Sequence, residues 1–359
     1  MLQRFAVPLL LAVLVLSTLP AALAQTSAHG HWFTDPKNVA TPGFVYDVPP
    51  SDFNPLTASD LELQDWGFPP RPDVSKTADY DRWTRMVTAK RAVPQLIFTN
   101  IYHGPARNAR IGGAIENAIA STSENWSGYA ITQKPGTFYS KNDTYVEADW
   151  TVPSVSPPPG FSCSSATYTS AQWVGFDGWD SSDVLQAGTE ANCGNSDYVW
   201  YEWYPYAQTK VSSPTAGSGN SMFIQVWYTT TGAPGNAYFW NKTTNVVSAV
   251  AFYPKPGTTL SGNSIEWVVE RITVNNVLSE LVNYGSTALD SCQGDVPGFN
   301  GFIPNVNYTG TDAGTYQIDM TCPPWVPSSS CTATTVISTS SIPNPSYTDI
   351  SFSTAGPAR

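Results

Sequence analysis

From Asn125 onward the chain is a succession of short runs rich in Val, Ile, Thr, Tyr, Phe and Trp, and this pattern limits its fold more than any other feature. The runs are TYVEADWTVPSV, SAQWVGFDGW, DYVWYEWYPY, SMFIQVWYTT, NAYFWNKTT, VSAVAFYP and SIEWVVERITV, with Gly, Pro, Asn and Ser between them. Branched and aromatic side chains fit a pleated, half-buried surface, and the residues between them favour turns. No helix-period pattern of useful length competes. The expected fold is all-β: an antiparallel β-sandwich of two packed sheets, of concanavalin-like or jelly-roll type. The 247 residues from 113 to 359 suffice for one large core.

The N-terminal part reads differently. Arg4 opens a basic head, Phe5 to Leu16 is almost wholly apolar, and Ala22-Leu23-Ala24 is a small-x-small exit. Residues 1–24 therefore read as a signal peptide, too short and too interrupted by Pro8 to span a bilayer. Residues 25–115, with PPSDFNP, FPPRPD and HGPARNARIGG, read as a loop-rich propeptide or N-terminal extension, mixed or weakly helical between Asp79 and Phe98. Residues 116–359 are the expected β-sandwich domain. The chain is expected to be extracellular and monomeric, with no membrane contact once the signal is cut.

Charge divides the chain in the same place. Up to Arg110 there are ten Lys and Arg against nine acids; from residue 113 on there are seven against nineteen, a net of −12. Such a surface excludes nucleic acid as a partner, because phosphate needs the opposite sign. Between Arg82 and Gly112 there are six basic residues and no acid, so this stretch could lie across the acidic domain as a cover. The histidines are His29, His31 and His103, so Ser-His-Asp, Cys-His and His-based zinc chemistry are excluded from the later domain. No metal and no cofactor is expected. Cys163 with Cys193, and Cys322 with Cys331, would close local disulfide loops, leaving Cys292 over. Asn125, Asn142, Asn241 and Asn307 each begin an N-x-Ser/Thr triplet.

Two stretches hold the candidate chemistry: WVGFDGWDSSDVLQ, residues 173–186, and IEWVVER, residues 265–271. Side chains two apart on a strand share a face, so Trp173 and Asp177 point one way, and Glu266, Val268 and Glu270 point together. A carboxylate on an otherwise apolar strand needs partners or a task. In YVWYEWYPY, alternation puts Tyr198, Trp200, Glu202 and Tyr204 on one face, a candidate substrate surface.

Together NWSGYA from Asn125, WTVPSV from Trp150, WVGFDGW from Trp173, LQAGTE from Leu185, WYEWYP from Trp200 and EWVVER from Glu266 resemble the successive motifs of the eqolisins, secreted glutamic peptidases of acid-loving microbes. The resemblance implies a Gln and Glu catalytic dyad on the concave face of a β-sandwich, falling here on Gln186 and Glu270. Trp173, Asp177 and Glu202 would support the cleft, with Trp200, Tyr204 and Glu266 beside them. It also implies polypeptide substrates and an inhibitory propeptide. The chain departs from the pattern at Arg271, where some relatives carry an acid, and in the loop Trp179 to Asp183.

The chemistry is consistent with work in acid. A carboxylate of suitable pKa takes a proton from water and returns it to the departing amine. An amide N–H stabilises the oxyanion and does not titrate. Glu270 and Gln186 are the expected pair. Two other classes fit the composition: a sandwich glycoside hydrolase using paired carboxylates such as Glu202 and Glu270, and a non-catalytic carbohydrate-binding module whose aromatics stack on sugars.

Overall fold

The computed structural model describes residues 29–115, 118–139, 144–228, 234–296, 299–302, 314–322, 335–342 and 349–354. The expected signal peptide, Asn142, Asn307 and Cys331 lie outside them. Two antiparallel sheets face each other. In the first, the strand Ser264–Glu270 lies between Trp126–Thr132 and Tyr168–Phe176, followed by Val184–Asn192, Tyr198–Tyr204 and the short Thr209–Val211. In the second, Thr144–Thr151 lies between Ser286–Val296 and Ser221–Tyr228, followed by Gly235–Asn241 and Val246–Phe252. Gly314–Thr321 pairs with the Trp126 strand and, across an irregularity, with Val336–Ser341, joining the two sheets at one edge.

The core is made by alternation. Val174, Phe176, Leu185, Ala187, Tyr201, Trp203, Ile265, Trp267 and Val269 of the first sheet pack on Val146, Ala148, Trp150, Ile224, Val226, Phe239 and Phe252 of the second. Because side chains alternate along each strand, this inward set sends the intervening residues to the outer faces. Five of the six sequence motifs lie on strands of the first sheet, with Gln186, Glu202 and Glu270 on its outer face, and WTVPSV lies on the second sheet.

The N-terminal arm is more structured than its Pro and Gly content suggests. Ser59 caps the helix Asp60–Asp65 through a reciprocal bond with Glu62, a Ser-x-x-Glu box present in the sequence. The helix Thr77–Val87 buries Trp83, Met86 and Val87. With Phe44, Tyr46, Leu63 and Phe68 they form a second core against Phe223, Trp227, Tyr238, Trp240 and Val247, on the outer face of the second sheet. Arg82 crosses to Glu147, and Gly43–Tyr46 adds a strand beside Val246–Phe252. The arm then passes round the edge, pairing Leu96–Phe98 with Thr209–Val211, and enters the outer face of the first sheet.

Cys163 is bonded to Cys193, and Cys292 is free and buried. Cys322 is also disulfide-bonded. Among the described residues no helix is long and apolar enough to cross a membrane.

Candidate active site

The site is set by register. Gln186 lies opposite Gly175 on one side and Glu202 on the other, while Glu270 lies opposite Ala171 and Trp126. Gly175 and Ala171 belong to the one strand separating Gln186 from Glu270, and they are four residues apart on the same face. Gln186, Glu202, Glu266 and Glu270 therefore share the outer face with Trp173, Trp200 and Tyr204. Two glycines keep this face closely fitted. A Cβ on Gly175 would lie 2.9 Å from Gln186 Cβ, and one on Gly188 would lie 2.7 Å from Trp173 Cβ.

The cleft is filled by the chain's own arm. Ile101–Tyr102 pairs with Thr273–Val274, and the next residues run extended over the face. The His103 N–H donates to both oxygens of Glu202, at 3.1 and 3.0 Å. Gln186 Nε2 donates to the His103 carbonyl at 2.5 Å. The Gly104 carbonyl accepts from Trp126 Nε1 at 3.1 Å, and the Pro105 carbonyl accepts from Asn125 Nδ2 at 3.2 Å. Ala106 N–H then donates to the Gly178 carbonyl at 2.9 Å. Gln186 and Glu270 are 0% and 1% exposed because this segment lies over them.

Glu270 is held on both oxygens, by Asn125 Nδ2 at 3.1 Å and Trp173 Nε1 at 2.8 Å. Burial pushes its carboxyl well above the usual range, against the pull of the Asn125, Trp173 and Trp126 donors and the Arg107 charge. Glu202 is raised in the same direction by burial, opposed by the His103 N–H and reinforced by the charge of Glu270. Both carboxyls therefore tend to keep a proton while the cleft is covered. Glu270 does not pair with Arg271, whose side chain goes the other way, to the carbonyls of Ser279 and Glu124.

The remaining residues expected at the site divide into three groups. Trp173 touches Glu270, and Trp200 stacks under the His103 ring at 3.5 Å. Tyr204 lies beside Gly104, its ring 3.5 Å from where a Gly104 Cβ would stand. Glu266 is buried further along the Glu270 face, its carboxyl raised by desolvation. Asp177 lies near Glu266, whose carboxyl its charge raises. It stands just past the strand end at φ 68°, and its carboxylate accepts the N–H groups of Gly262, Asn263 and Ser264. Its action is to fix the loop that launches the Glu270 strand. Asp183 grips Ser261 of the same loop.

His103, Asn125, Gln208 and Glu190 complete the cleft without having been singled out from sequence. Asn125 is 1% exposed and engaged by Glu270, so its triplet marks a cleft residue rather than a sugar acceptor. Asn241 is likewise buried, donating to the Thr215 carbonyl. Asn125 opens the NWSGYA motif, which was the available signal; His103 lies among Pro, Gly and Arg residues with no strand pattern.

Among solved structures, scytalido-glutamic peptidase with a transition state analog inhibitor is 19% identical, with a TM-score of 0.49 over 65% of this chain and 98% of that one. SCP-B, a member of the Eqolisin family in complex with the tripeptide Ala-Ile-His, is 20% identical, with a TM-score of 0.46 and the same coverage. Aspergilloglutamic peptidase from Aspergillus niger is 23% identical, with a TM-score of 0.41 over 52% of this chain and 99% of that one. No curated protein sequence matches the chain. The Peptidase A4 family model does, over residues 124–321, which is more than half of the chain and spans all six motifs, five of them on strands of the first sheet. The protein is therefore a member of the Peptidase A4 family, the eqolisins, and a hydrolase of peptide bonds.

Proposed function

We propose that the chain is an acid-acting glutamic endopeptidase, made as a secreted precursor, with Glu270 as general base and acid and Gln186 as the oxyanion donor. The observation that carries this reading is that both side chains, from strands separated by one other, reach a single main-chain residue lying in the cleft. Gln186 Nε2 donates to the His103 carbonyl, and Glu270 Oε2 is 3.4 Å from the His103 ring.

Once water enters, an ionised Glu270 takes a proton from it as the water attacks the substrate carbonyl. Gln186 Nε2–H, already aimed at a carbonyl oxygen, stabilises the charge that gathers there. Glu270 then returns the proton to the leaving amine. Gln186 Oε1 accepts no hydrogen bond from the described residues and is placed to orient the attacking water. Asn125 and Trp173 keep the carboxylate form accessible by donating to it, which suits a group that must ionise in acid. Trp126 and Asn125 hold carbonyls on the amine side of the bond, and Glu202 holds the N–H on the acyl side. These contacts suit a polypeptide strand, and they favour peptide over sugar as the occupant. Residues 25 to about 103 act as the inhibitory segment in this reading.

The test is digestion of denatured protein between about pH 2 and 5, with variants alongside the parent. Glu270→Gln is expected to lower kcat by about 10²–10⁴, and Gln186→Ala by about 10²–10³. Activity retained in either variant would remove the proposed dyad.

A further inference from the structure

The arm does more than cover the cleft: it enters it in the manner of a substrate and shows what one side-chain pocket accepts. The carbonyl that Gln186 polarises belongs to His103, so the bond presented to the dyad is His103–Gly104. The chain is fixed on both sides of that bond, by Glu202 before it and by Trp126 and Asn125 after it.

The His103 side chain is the most closely specified part of the arm. It is 0% exposed and stacks on Trp200 with the ring planes 3° apart. Its Nε2 is 2.7 Å from Gln208 Oε1. The identity of that Gln208 atom is set by a relay. Gln208 Nε2 donates to the Tyr198 hydroxyl at 2.9 Å, and Tyr198 donates in turn to Glu190. Gln208 must therefore offer its oxygen to the ring, and the ring must answer with Nε2–H. On the opposite edge, Nδ1 faces Glu270 Oε2 at 3.4 Å. Glu190 Oε2 lies 4.0 Å from Nε2.

The pocket thus supplies an aromatic plane, a fixed acceptor on one edge and a carboxyl on the other. A leucine would leave the Gln208 oxygen buried and unpaired. A phenylalanine would stack but fail at the same atom, and a lysine would lack the plane. An imidazole meets the plane and the fixed acceptor, and its Nδ1 faces the Glu270 carboxyl at 3.4 Å.

Resting on the glutamic-peptidase reading above, we infer that the pocket of Trp200, Gln208, Glu190 and Glu270 selects histidine on the acyl side of the cut bond, and that His103–Gly104 is this chain's own processing bond. Cleavage there consumes one water. Its oxygen joins the His103 carbonyl carbon, the C–N bond to Gly104 breaks, and the protons are shared between the new carboxyl and the new amine.

Two measurements on the full-length protein test this. Held in acid, the parent chain is expected to yield a new N-terminus at Gly104 by mass spectrometry, with no such product from Glu270→Gln. Peptides of the form Ile-Tyr-X-Gly-Pro-Ala, with X as His, Phe, Leu or Lys, are then compared by kcat/KM on the acid-treated enzyme. The His peptide is expected to exceed the Phe peptide by roughly tenfold or more, and Gln208→Leu to collapse that ratio toward one. A His103→Leu chain should lose the cut at Gly104; if it does not fold, the peptide ratios still decide. An active enzyme that treats His and Phe alike, or whose own cut lies elsewhere and is unaffected by His103→Leu, overturns the inference while leaving the dyad intact. Hydrolysis of no peptide at all overturns both.

Discussion

The two outer faces of the sandwich are both covered by the same N-terminal arm, but by opposite chemistry. On the second sheet the arm presents Phe68, Trp83, Met86 and Val87 to Phe223, Tyr238 and Trp240, an apolar seam crossed by the charge pair of Arg82 and Glu147. On the first sheet it presents main-chain polar groups and one imidazole to carboxyls, amides and indole N–H groups. An apolar seam is held by exclusion of water and has no need of chain continuity. A polar strand over a cleft exchanges its bonds for water or for another peptide at little net loss. The arm is therefore anchored on one face and replaceable on the other, as the proposed inhibitory role would require.

The largest consequence concerns what leaves after a cut at Gly104. Stripping the whole arm would expose Phe223, Trp227, Tyr238 and Trp240, each worth about 1.5–3 kcal/mol when fully buried, and would unpair the Gly43–Tyr46 strand. The acid-cut protein is expected to keep residues 29–103 bound to the second sheet while the cleft opens. Native gel filtration followed by mass spectrometry of the peak checks this, and an arm that departs cleanly would mean the apolar seam is weaker than its composition indicates. Within the seam, Trp83→Ala is expected to destabilise the uncut chain by about 3–5 kcal/mol in urea unfolding. The ring is 2% exposed, and its Nε1 donates to the Pro69 carbonyl.

On the cleft side the expected signature is a pH dependence. Burial lowers the His103 pKa from 6.5 to about 4, against the opposing effects of the Glu190 charge and the Gln208 bond. Above pH 6.5 the ring is neutral folded or unfolded. As pH falls from 6.5 toward 4 the unfolded chain takes a proton that the folded chain refuses, so the stability this residue contributes is lost across that window, by about 3 kcal/mol, and is level below it. Glu202 and Glu270, raised by burial, act in the opposite sense, since the folded state takes their protons first. The comparison is therefore parent minus His103→Phe, followed by thermal unfolding from pH 7 to pH 4. The difference should shift against the parent as pH falls, and a flat difference would show that His103 is not held neutral in the cleft.

The sandwich was legible because alternation and composition act locally. The run Ile265 to Glu270 declares its inward face by alternation, and the motifs around Gln186 and Glu270 lie on strands whose period fixes which residues share a face. The arm was not legible in the same way. Its Pro and Gly suggest loops, yet Ser59 and Glu62 form a cap, and Trp83, Met86 and Val87 become a helix face only against Phe223 and Tyr238. His103 gave no local signal at all, because its meaning comes from residues 83 to 167 positions away, Gln186, Glu202, Gln208 and Glu270.

The smallest effect should come from the groups that tune Glu270 rather than cover it. Trp173 donates its indole N–H to Glu270 Oε2 and meets Trp126 edge-on at 4.9 Å. Trp173→Phe keeps most of the ring contact and removes the donor. The ionised form of Glu270 then loses a bond that the protonated form needs less, so its pKa rises further. Since the base must be ionised to act, the acid limb of kcat/KM should move to higher pH, lowering activity on that limb by roughly five- to tenfold while leaving the plateau nearly unchanged. Glu202→Gln makes the contrast: it weakens the hold on the acyl-side N–H, so it should raise KM across the whole profile, and loss of its charge beside Glu270 shifts the limb only toward lower pH. An acid limb moved to higher pH by Glu202→Gln and unmoved by Trp173→Phe would reverse the roles assigned to the two residues.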